Sequence, residues 1–389
     1  MSHSSPHHTA EDARPLAGFL VLERSRAPAA AYAGRLLATL GAEVILIEPR
    51  SGSVLRNAEP LIVGTNESAL FAYLSAGKRS VALDLDDKQD RAQLRHWIER
   101  AQLVIDDTPL EERAPSPISE KAVAAVNPGA HFVSVLPFGA YGEQSSWRGE
   151  EINLIHASGE GYLLPNGYAR ALYPDRAPLR IYGPFAHYQA GCVAALSAMA
   201  ALWSPCDEGQ FVDVSVQDSA LLCGAFALQR LGDGSLEHRE GRSFRYGGVF
   251  ETRTGFVQLL TLEDRQWHGL VTLLGNPGWS QDPALNDGIT RSQRGDEINQ
   301  QIRLWMSDQD ADDIVARAQQ LNVPLARYRT PFEVLSGEHE QSRGLFGPTQ
   351  LQSGQMIPML IAPYLFAETP LHTGGGVPAL GSANVESTP

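Results

Sequence analysis

Short apolar runs alternate with small-residue or amphipathic segments through the first part of the chain. Phe19–Leu22 is an apolar run, Ala29–Leu40 is rich in small residues and ends before Gly41, and Glu43–Ile47 is the next apolar run. A strand, a helix that ends at a glycine and a second strand form a βαβ unit, which produces parallel strands with right-handed crossovers. The pattern therefore predicts a parallel sheet.

The same alternation continues downstream. We expect a strand, helix, strand, helix and strand in turn at Ser80–Leu85, Asp87–Arg100, Leu103–Ile105, Ile118–Ala125 and His131–Leu136. The alanine-rich segment Gly191–Trp203 is too short to span a bilayer and predicts a buried helix, followed by a strand at Gly209–Ser215 and a helix at Val216–Leu231. Strands and helices at this spacing predict a doubly wound, Rossmann-like α/β domain.

The pattern changes after this domain. A Gly- and charge-rich stretch at 232–248 predicts a boundary, and Phe250–Leu259 with Thr254 and Gly255 at its centre predicts a hairpin. Helices are expected at Asp264–Leu274, Arg291–Trp305 and Asp310–Gln319, which makes this a smaller α+β unit. We predict a disordered tail at 1–14, a large domain at 15–225 that is completed by 331–389, and a small domain at 226–330.

Composition narrows the class of protein. The 389 residues are 43% hydrophobic, enough for a large core, and the net charge of −14 argues against nucleic-acid binding through a global cation field. The three cysteines give neither a disulfide framework nor zinc-type spacing, so we expect a reducing, cytoplasmic setting and no metal. No targeting or membrane segment is evident. Because Cys192 and Cys223 lie in Ala- and Leu-rich segments, we expect both to be buried.

The turn after the first strand carries no dinucleotide fingerprint. A G-x-G-x-x-G turn lets the backbone approach a pyrophosphate closely, but Glu23–Pro28 stands at that place without a glycine. Binding of NAD or FAD by this turn is therefore disfavoured, and no NAD is expected.

Four ordered motifs resemble those of family III CoA-transferases, the family of formyl-CoA transferase, carnitine CoA-transferase and α-methylacyl-CoA racemase. The resemblance covers the chain from about Pro15. It rests on Val21–Arg26 with Leu36–Ile45, on Gly77–Leu85, on Gly209–Ser215 with Asp218, and on Val323–Pro324, Arg343–Gly344 and Pro378–Gly381. It implies acyl-CoA and a small carboxylic acid as substrates, and an interlocked homodimer in which each chain threads the other.

The resemblance also identifies a candidate catalytic position. In these transferases an aspartate attacks the thioester, but His187 stands at that place in this chain, within Ala186–Gly191. An imidazole could form an acyl-imidazole or act as a general acid or base. Glu151 matches a glutamate of formyl-CoA transferase. Glu150 matches the racemase histidine, so Glu150 and His187 could exchange an α-proton as a racemase, isomerase or lyase pair.

The resemblance implies CoA contacts at Arg26, Arg50, Lys78, Arg79 and Arg148, and a remnant of the glycine loop at Gly247 and Gly248. The segment Asp106–Arg113 departs from the family pattern and adds two carboxylates where the nucleotide should pass. Three hypotheses stay open: a CoA-transferase, an acyl-CoA racemase or lyase, and a non-catalytic subunit of a heteromer with a catalytic homologue.

Overall fold

The computed structural model describes residues 14–163, 175–177, 179, 181–206, 208–224, 231–232, 246–369, 371–372 and 375–384. The predicted tail, the end of the helix expected at Val216–Leu231 and most of the boundary stretch at 232–248 lie outside these residues. The chain divides into two compact units. The larger unit holds the described residues of Met1–Gly161, Arg180–Leu228 and Glu338–Pro389, and the smaller unit holds those of Tyr162–Leu179 and Gln229–Gly337.

A six-stranded sheet forms the centre of the larger unit, and every neighbouring pair of strands is parallel. The strands lie in the order β3-β2-β1-β4-β5-β6, the order of a Rossmann-like doubly wound sheet. The predicted α/β class is confirmed. The strands are β1 Leu20–Arg24, β2 Glu43–Glu48, β3 Arg79–Ala82, β4 Leu103–Asp106, β5 His131–Leu136 and β6 Phe211–Ser215.

The predicted helices are present after the strands, with one clear shift, and three further helices at Ala69–Ser75, Leu110–Arg113 and Glu151–Ala157 were not predicted. The helix expected from Gly191 begins at Phe185, because the polar His187 and Gln189 interrupt the apolar pattern over its first turns. The helices of this part are α1 Pro28–Thr39, α2 Ala69–Ser75, α3 Lys88–Arg100, α4 Leu110–Arg113, α5 Glu120–Val126, α6 Glu151–Ala157, α7 Phe185–Leu202 and α8 Val216–Gly224.

Small residues let α1 and α7 pack closely. A Cβ atom on Gly191 would lie 2.9 Å from the carbonyl oxygen of Ala29 and 2.9 Å from the Tyr32 ring, so only glycine fits this crossing. The buried face of α7 carries alanines at Ala186, Ala190, Ala194 and Ala198. By length and composition alone α7 could cross a membrane. Its alanine face belongs to the core of the larger unit, which accounts for that composition.

The smaller unit combines a three-stranded antiparallel sheet with five helices of its described part. The predicted hairpin is formed by β7 Gly248–Thr252 and β8 Gly255–Leu259, and β9 Leu325–Arg327 pairs with β8. The helix expected at Arg291–Trp305 is two helices, because Arg294 leaves helical geometry before Gly295. The helices are α9 Asp264–Leu273, α10 Gly288–Gln293, α11 Gly295–Met306, α12 Ala311–Gln320 and α13 Pro331–Leu335.

The last described segment returns to the larger unit. Helix α14 (Glu338–Ser342) and the antiparallel strands β10 (Phe346–Gln350) and β11 (Met356–Leu360) precede it. At the edge of the sheet, the backbone N–H of Ala383 donates to the carbonyl oxygen of Ser80 at 2.8 Å. The Asn384 side chain accepts from the Ala82 N–H and donates to the Ala82 carbonyl, each at 2.9 Å. This segment therefore covers the edge strand β3.

Candidate functional site

A carboxylate lies at the start of helix α7. Glu151, the first residue of α6, accepts hydrogen bonds from the backbone N–H of Ala186 at 2.9 Å and of His187 at 3.3 Å. The first N–H groups of a helix have no partner within the helix and lie at the positive end of its dipole. Glu151 therefore caps α7 and brings the start of α6 beside the backbone of His187.

Burial dominates the electrostatics of this carboxylate. Removal from water raises the pKa of Glu151 above its ordinary value, although the backbone N–H donors of α7 act in the opposite direction. Glu160 lies near enough to raise the pKa a little further. The protonated form of Glu151 is therefore more accessible near neutral pH than that of an exposed glutamate.

His187 is held as a neutral imidazole. Its side chain is buried, with 5% of the residue exposed, and burial lowers its pKa to about 4. Its Nδ1 atom is buried without a hydrogen-bond partner among the described residues. A neutral ring with an unused nitrogen can act as a nucleophile at pH 7, whereas a protonated ring could not.

Glu150 lies differently from Glu151. It is exposed at the residue before α6, where its backbone N–H donates to the Asn153 side chain at 3.0 Å. Among the described residues, the hydrogen bonds between this pair of glutamates and the start of α7 are donated by backbone N–H groups of α7 and accepted by the Glu151 carboxylate. The structure thus brings Glu151 to the backbone of His187, and α-proton exchange between Glu150 and His187 stays a prediction.

The predicted CoA contacts fall into two groups, of which Lys78 is the first. Its ammonium is buried beneath α1, where it donates to Glu23 Oε2 at 2.5 Å and to the carbonyl oxygen of Ala31 at 2.7 Å. Gly34 makes room for this pair, since a Cβ atom there would lie 1.7 Å from Glu23 Oε2. In this arrangement Lys78 serves the packing of α1 on the sheet.

The remaining cations are at least partly exposed. Arg26 pairs with Glu112 at 2.5 Å, Arg50 pairs with Asp90 at 2.9 Å, and Arg79 pairs with Glu43. Arg148 is exposed in the segment that leads to α6. Exposed ion pairs contribute little to stability, so these guanidinium groups can exchange a carboxylate for a phosphate at small cost. Their contact with CoA stays a prediction.

The glycine pair of the smaller unit has the backbone conformation that requires glycine. Gly247 and Gly248 have φ angles of 95° and 107°, in the left-handed region. The N–H of Gly247 donates to the Asn299 side chain at 2.8 Å, which fixes the start of β7. The role of these glycines toward CoA also stays a prediction.

An internal carboxylate occupies the N-terminus of helix α1. Asp107, directly after β4, accepts from the backbone N–H of Arg26 at 2.8 Å and of Ala27 at 2.7 Å. Burial raises the pKa of Asp107 to about 7, with a smaller contribution from Asp106. Strands β1 and β4 flank the point where the strand order reverses, the usual ligand crevice of such sheets. Asp107 belongs to the acidic segment Asp106–Arg113, which differs from the family pattern. Its carboxyl group thus occupies the place in this crevice where the backbone N–H groups could bind an anionic ligand.

A mainly aromatic cavity flanks the first turns of α7, and the sequence did not predict it. Its volume is about 480 Å³, and most of its lining is contributed by Tyr32, Tyr182, Phe185, Tyr188, Gln189 and Cys192. The rings of Tyr32 and Tyr188 meet edge to face at 4.8 Å. The expectation of buried cysteines is wrong, since Cys192 and Cys223 are both exposed. The one sequence feature that could have indicated this cavity is Tyr32, an aromatic residue in the otherwise alanine-rich start of α1.

These features define an α/β protein of the doubly wound class with ionisable side chains at the start of a buried helix. The sequence identifies its family. The sequence model of CoA-transferase family III matches residues 16–384, so the chain belongs to that family. A CAIB/BAIF family protein from Brucella suis has the same fold, with a TM-score of 0.83, 24% identity and coverage of 96% of this chain and 99% of that one.

Curated relatives bear CoA-transferase names. A probable CoA-transferase of Mycobacterium tuberculosis is 28% identical over 337 residues, which are 82% of this chain but only 40% of that protein. A succinate–glutarate CoA-transferase of Agrobacterium fabrum is 26% identical over 380 residues, covering 94% of this chain and 93% of the relative. Among the described residues, no group of three or more His, Cys, Asp and Glu side chains could hold a metal ion.

Proposed function

We propose that this protein transfers CoA between an acyl-CoA thioester and a carboxylic acid, with His187 in place of the usual aspartate nucleophile. Membership of CoA-transferase family III and the names of the relatives support the reaction class. The observation that carries the role of His187 is its neutral, buried imidazole at the capped start of α7.

The chemistry balances with an imidazole nucleophile. The ring nitrogen attacks the thioester carbonyl, the C–S bond breaks, and CoA leaves as its thiolate while a cationic acyl-imidazolium forms, which keeps the proton on its other ring nitrogen. The acceptor carboxylate then attacks the acyl-imidazolium, which releases the neutral ring and leaves a mixed anhydride. The thiolate attacks the acceptor's carbonyl carbon and expels the donor acid. No external oxidant, reductant or metal enters this sequence.

A second candidate function is that of a non-catalytic subunit of a heteromeric CoA-transferase. It is favoured by the way acidic side chains occupy the positive groups that could bind CoA. Lys78, in the motif Gly77–Leu85, forms a buried ion pair with Glu23. Asp107 accepts hydrogen bonds from the backbone N–H groups at the start of α1. Both arrangements remove positive groups that could otherwise meet the phosphates of CoA. A subunit that retains the fold and supports an active homologue would tolerate them.

Transfer of an isotopic label tests the first candidate. Wild type incubated with acyl-CoA donors and ¹³C-labelled acids should yield labelled acyl-CoA by mass spectrometry. The substitution His187→Gln should lower that rate at least a hundredfold, since it removes the nucleophile, whereas His268→Gln on the exposed face of α9 should not change it. Hydroxylamine should release acyl groups from His187.

Several outcomes would contradict this assignment. Full activity of His187→Gln or a CoA adduct on Glu151 would move the nucleophile to the glutamate. Another outcome is that the α-carbon of a bound acyl-CoA takes up deuterium from heavy water in the wild type but not in Glu150→Gln. That result would support the racemase hypothesis. Tight acyl-CoA binding without turnover, or no binding at millimolar ligand, would favour the supporting subunit.

The exposed apolar side chains of α7 and α8 support the proposed homodimer. Leu196, Trp203 and Leu222 are 65%, 81% and 72% exposed, although α7 and α8 contribute to the core of the larger unit. An apolar face of this kind marks an interaction surface. A second copy of the chain covers it in the interlocked arrangement that the family resemblance implies. Light scattering that shows a monomer at micromolar concentration would contradict this proposal.

A further inference from the structure

A small polar cleft of the larger unit lies away from the candidate functional site. Most of its lining comes from Arg35 near the end of α1, Gly77 just before β3, Thr349 of β10, and His372 and Gly375 farther along the chain. The cleft is on the side of the sheet where β3 begins, whereas the ligand crevice of such sheets lies at the carboxyl ends of the strands. We propose that the cleft binds one chloride ion, which neutralises the buried guanidinium group of Arg35 and links the chain from β10 onward to α1 and β3.

The guanidinium group of Arg35 is buried without a carboxylate partner. Arg35 is 8% exposed and donates to the carbonyl oxygens of Ala76 at 2.6 Å and of Leu360 at 3.1 Å. Its Nε atom has no hydrogen-bond partner among the described residues, and none of their carboxylates forms an ion pair with it. The two carbonyl oxygens and the Tyr73 ring, 5.7 Å from the guanidinium, attract the cation but carry no net charge. The positive charge therefore lacks the counter-ion that a buried charge requires.

The buried charges near Arg35 do not supply that counter-ion. Lys78 is paired with Glu23, and Glu48 is paired with Arg56, so each of these carboxylates already serves another cation. Burial lowers the pKa of Lys78, and the positive charge of Arg35 lowers it further, which shows that the two cations repel each other. The described lining of the cleft contains no acidic residue. An anion in the cleft would offset this excess of positive charge.

His372 adds a hydrogen-bond donor to the cleft. Its Nδ1 atom lies 3.1 Å from Nη1 of Arg14, and because a guanidinium group can only donate, Nδ1 is the acceptor. The hydrogen of the neutral imidazole is therefore on Nε2. This nitrogen would lie 3.4 Å and 3.3 Å from Cβ atoms placed on Gly77 and Gly375, so it is on the side of the ring that lines the cleft. An N–H donor beside a cation suits an anionic occupant.

Two glycines leave the space and limit its size. Gly77 has a φ angle of 81°, in the left-handed region, and a Cβ atom on Gly375 would lie 2.5 Å from the Gly77 Cα. The volume of the cleft is about 10 Å³, which accommodates one occupant of about the size of a water molecule. Phosphate and carboxylate ligands are too large, whereas a monatomic anion fits. Water would fill the space but would leave the charge of Arg35 without a counter-ion.

Salt-specific stability of the full-length wild-type protein tests the proposal. The protein is dialysed into sodium gluconate, and urea unfolding is measured while chloride or bromide replaces gluconate at constant ionic strength, so that screening stays constant. The dissociation constant of chloride is measured from the broadening of the ³⁵Cl NMR resonance. Because the ion binds the folded state, chloride at about ten times this constant should lower the equilibrium constant for unfolding about tenfold.

Two arginine variants separate binding at the cleft from a general salt effect. Arg35→Met should lose the dependence on chloride, because it removes the charge that the ion neutralises. Arg95→Met is the matched control, since Arg95 forms an exposed pair with Glu99 on α3, and it should keep the full dependence. Should Arg35→Met fail to fold, crystals of the wild type soaked in bromide decide the matter. Their anomalous difference map should show a peak within hydrogen-bond distance of the Arg35 guanidinium group.

The opposing outcomes are equally defined. Equal dependence on chloride in the wild type and in Arg35→Met would overturn the proposal, and so would bromide-soaked crystals without a peak in the cleft. A bromide peak without any salt-specific change in stability would indicate an adventitious ion only and would also overturn it. None of these measurements involves CoA, so the proposal stands or falls separately from the proposed transferase function.

Discussion

Replacing Lys78 by methionine separates a structural role of this residue from a role in CoA binding. In the structure the Lys78 ammonium is buried and donates to Glu23 and to the Ala31 carbonyl. Methionine keeps the side-chain length but leaves the buried Glu23 carboxylate with only the Ser25 hydroxyl, at 2.6 Å. Removing one partner of a buried ion pair costs about 3–5 kcal/mol, so we expect Lys78→Met to lower the free energy of unfolding by that amount.

The loss of unfolding free energy in Lys78→Met should depend on pH in a defined direction. Burial already raises the pKa of Glu23 despite its pairing with Lys78, and removal of the ammonium raises this pKa further. Protonation of Glu23 removes the unpaired charge, so the deficit of the variant should be full only at a pH above the raised pKa of Glu23. It should shrink as the pH falls toward the ordinary glutamate value of about 4.5.

Urea unfolding followed by tryptophan fluorescence measures the stability, and calorimetry with CoA measures binding. The double substitution Glu23→Gln with Lys78→Met should recover most of the loss, since no charge remains buried. Arg79→Met, at the next residue and in a partly exposed pair with Glu43, is the matched control and should cost at most about 1 kcal/mol. A Lys78→Met variant of normal stability that binds CoA at least tenfold more weakly would refute this reasoning.

Three further predictions concern α7 and the start of α1. The imidazole of His187 should not titrate by NMR between pH 8 and 5, because burial lowers its pKa to about 4; a midpoint near 6.5 would contradict its burial. Asp107→Asn should remove a fall in unfolding free energy between pH 4 and 7 of up to about 4 kcal/mol. That fall is expected because a carboxyl whose pKa is raised to about 7 stabilises the fold while protonated; parallel pH profiles of the two proteins would contradict it. Gly191→Ala should destabilise the protein by about 1–3 kcal/mol in thermal or urea unfolding, whereas the exposed Ala200→Ser should stay within about 0.5 kcal/mol; equal effects would show that the crossing has room.

Local pattern predicted the elements well, because buried parallel strands are apolar runs and their helices end at recognisable residues. Strand β5 has the predicted bounds, α1 is shifted by one residue at each end, and α3 begins one residue later than predicted and ends at the predicted residue. The start of α7 was placed too late because the polar His187 and Gln189 break the apolar pattern over its first turns.

The candidate site was less accessible to such reasoning. The partner of Lys78 is Glu23, which lies 55 residues away on β1, so the motif around Lys78 could be identified from the sequence but the burial of Lys78 could not be predicted. Neighbouring glutamates differ in role because the geometry of one helix start exposes Glu150 and turns Glu151 toward α7. The cavity is lined by Tyr32 and by residues between 182 and 192, which are distant in the sequence. No spacing of residues in the sequence predicts that they lie together.

The segment that covers β3 has a consequence for folding during synthesis. Ala82 of the edge strand and Asn384, which binds it, are 302 residues apart in the chain. On the ribosome, β3 emerges long before its cover does, and its outer N–H and C=O groups stay available to other strands throughout that interval. Slowed translation of the last third of the chain should therefore increase aggregation of the nascent protein, and a chaperone bound at this edge would protect it until the cover arrives.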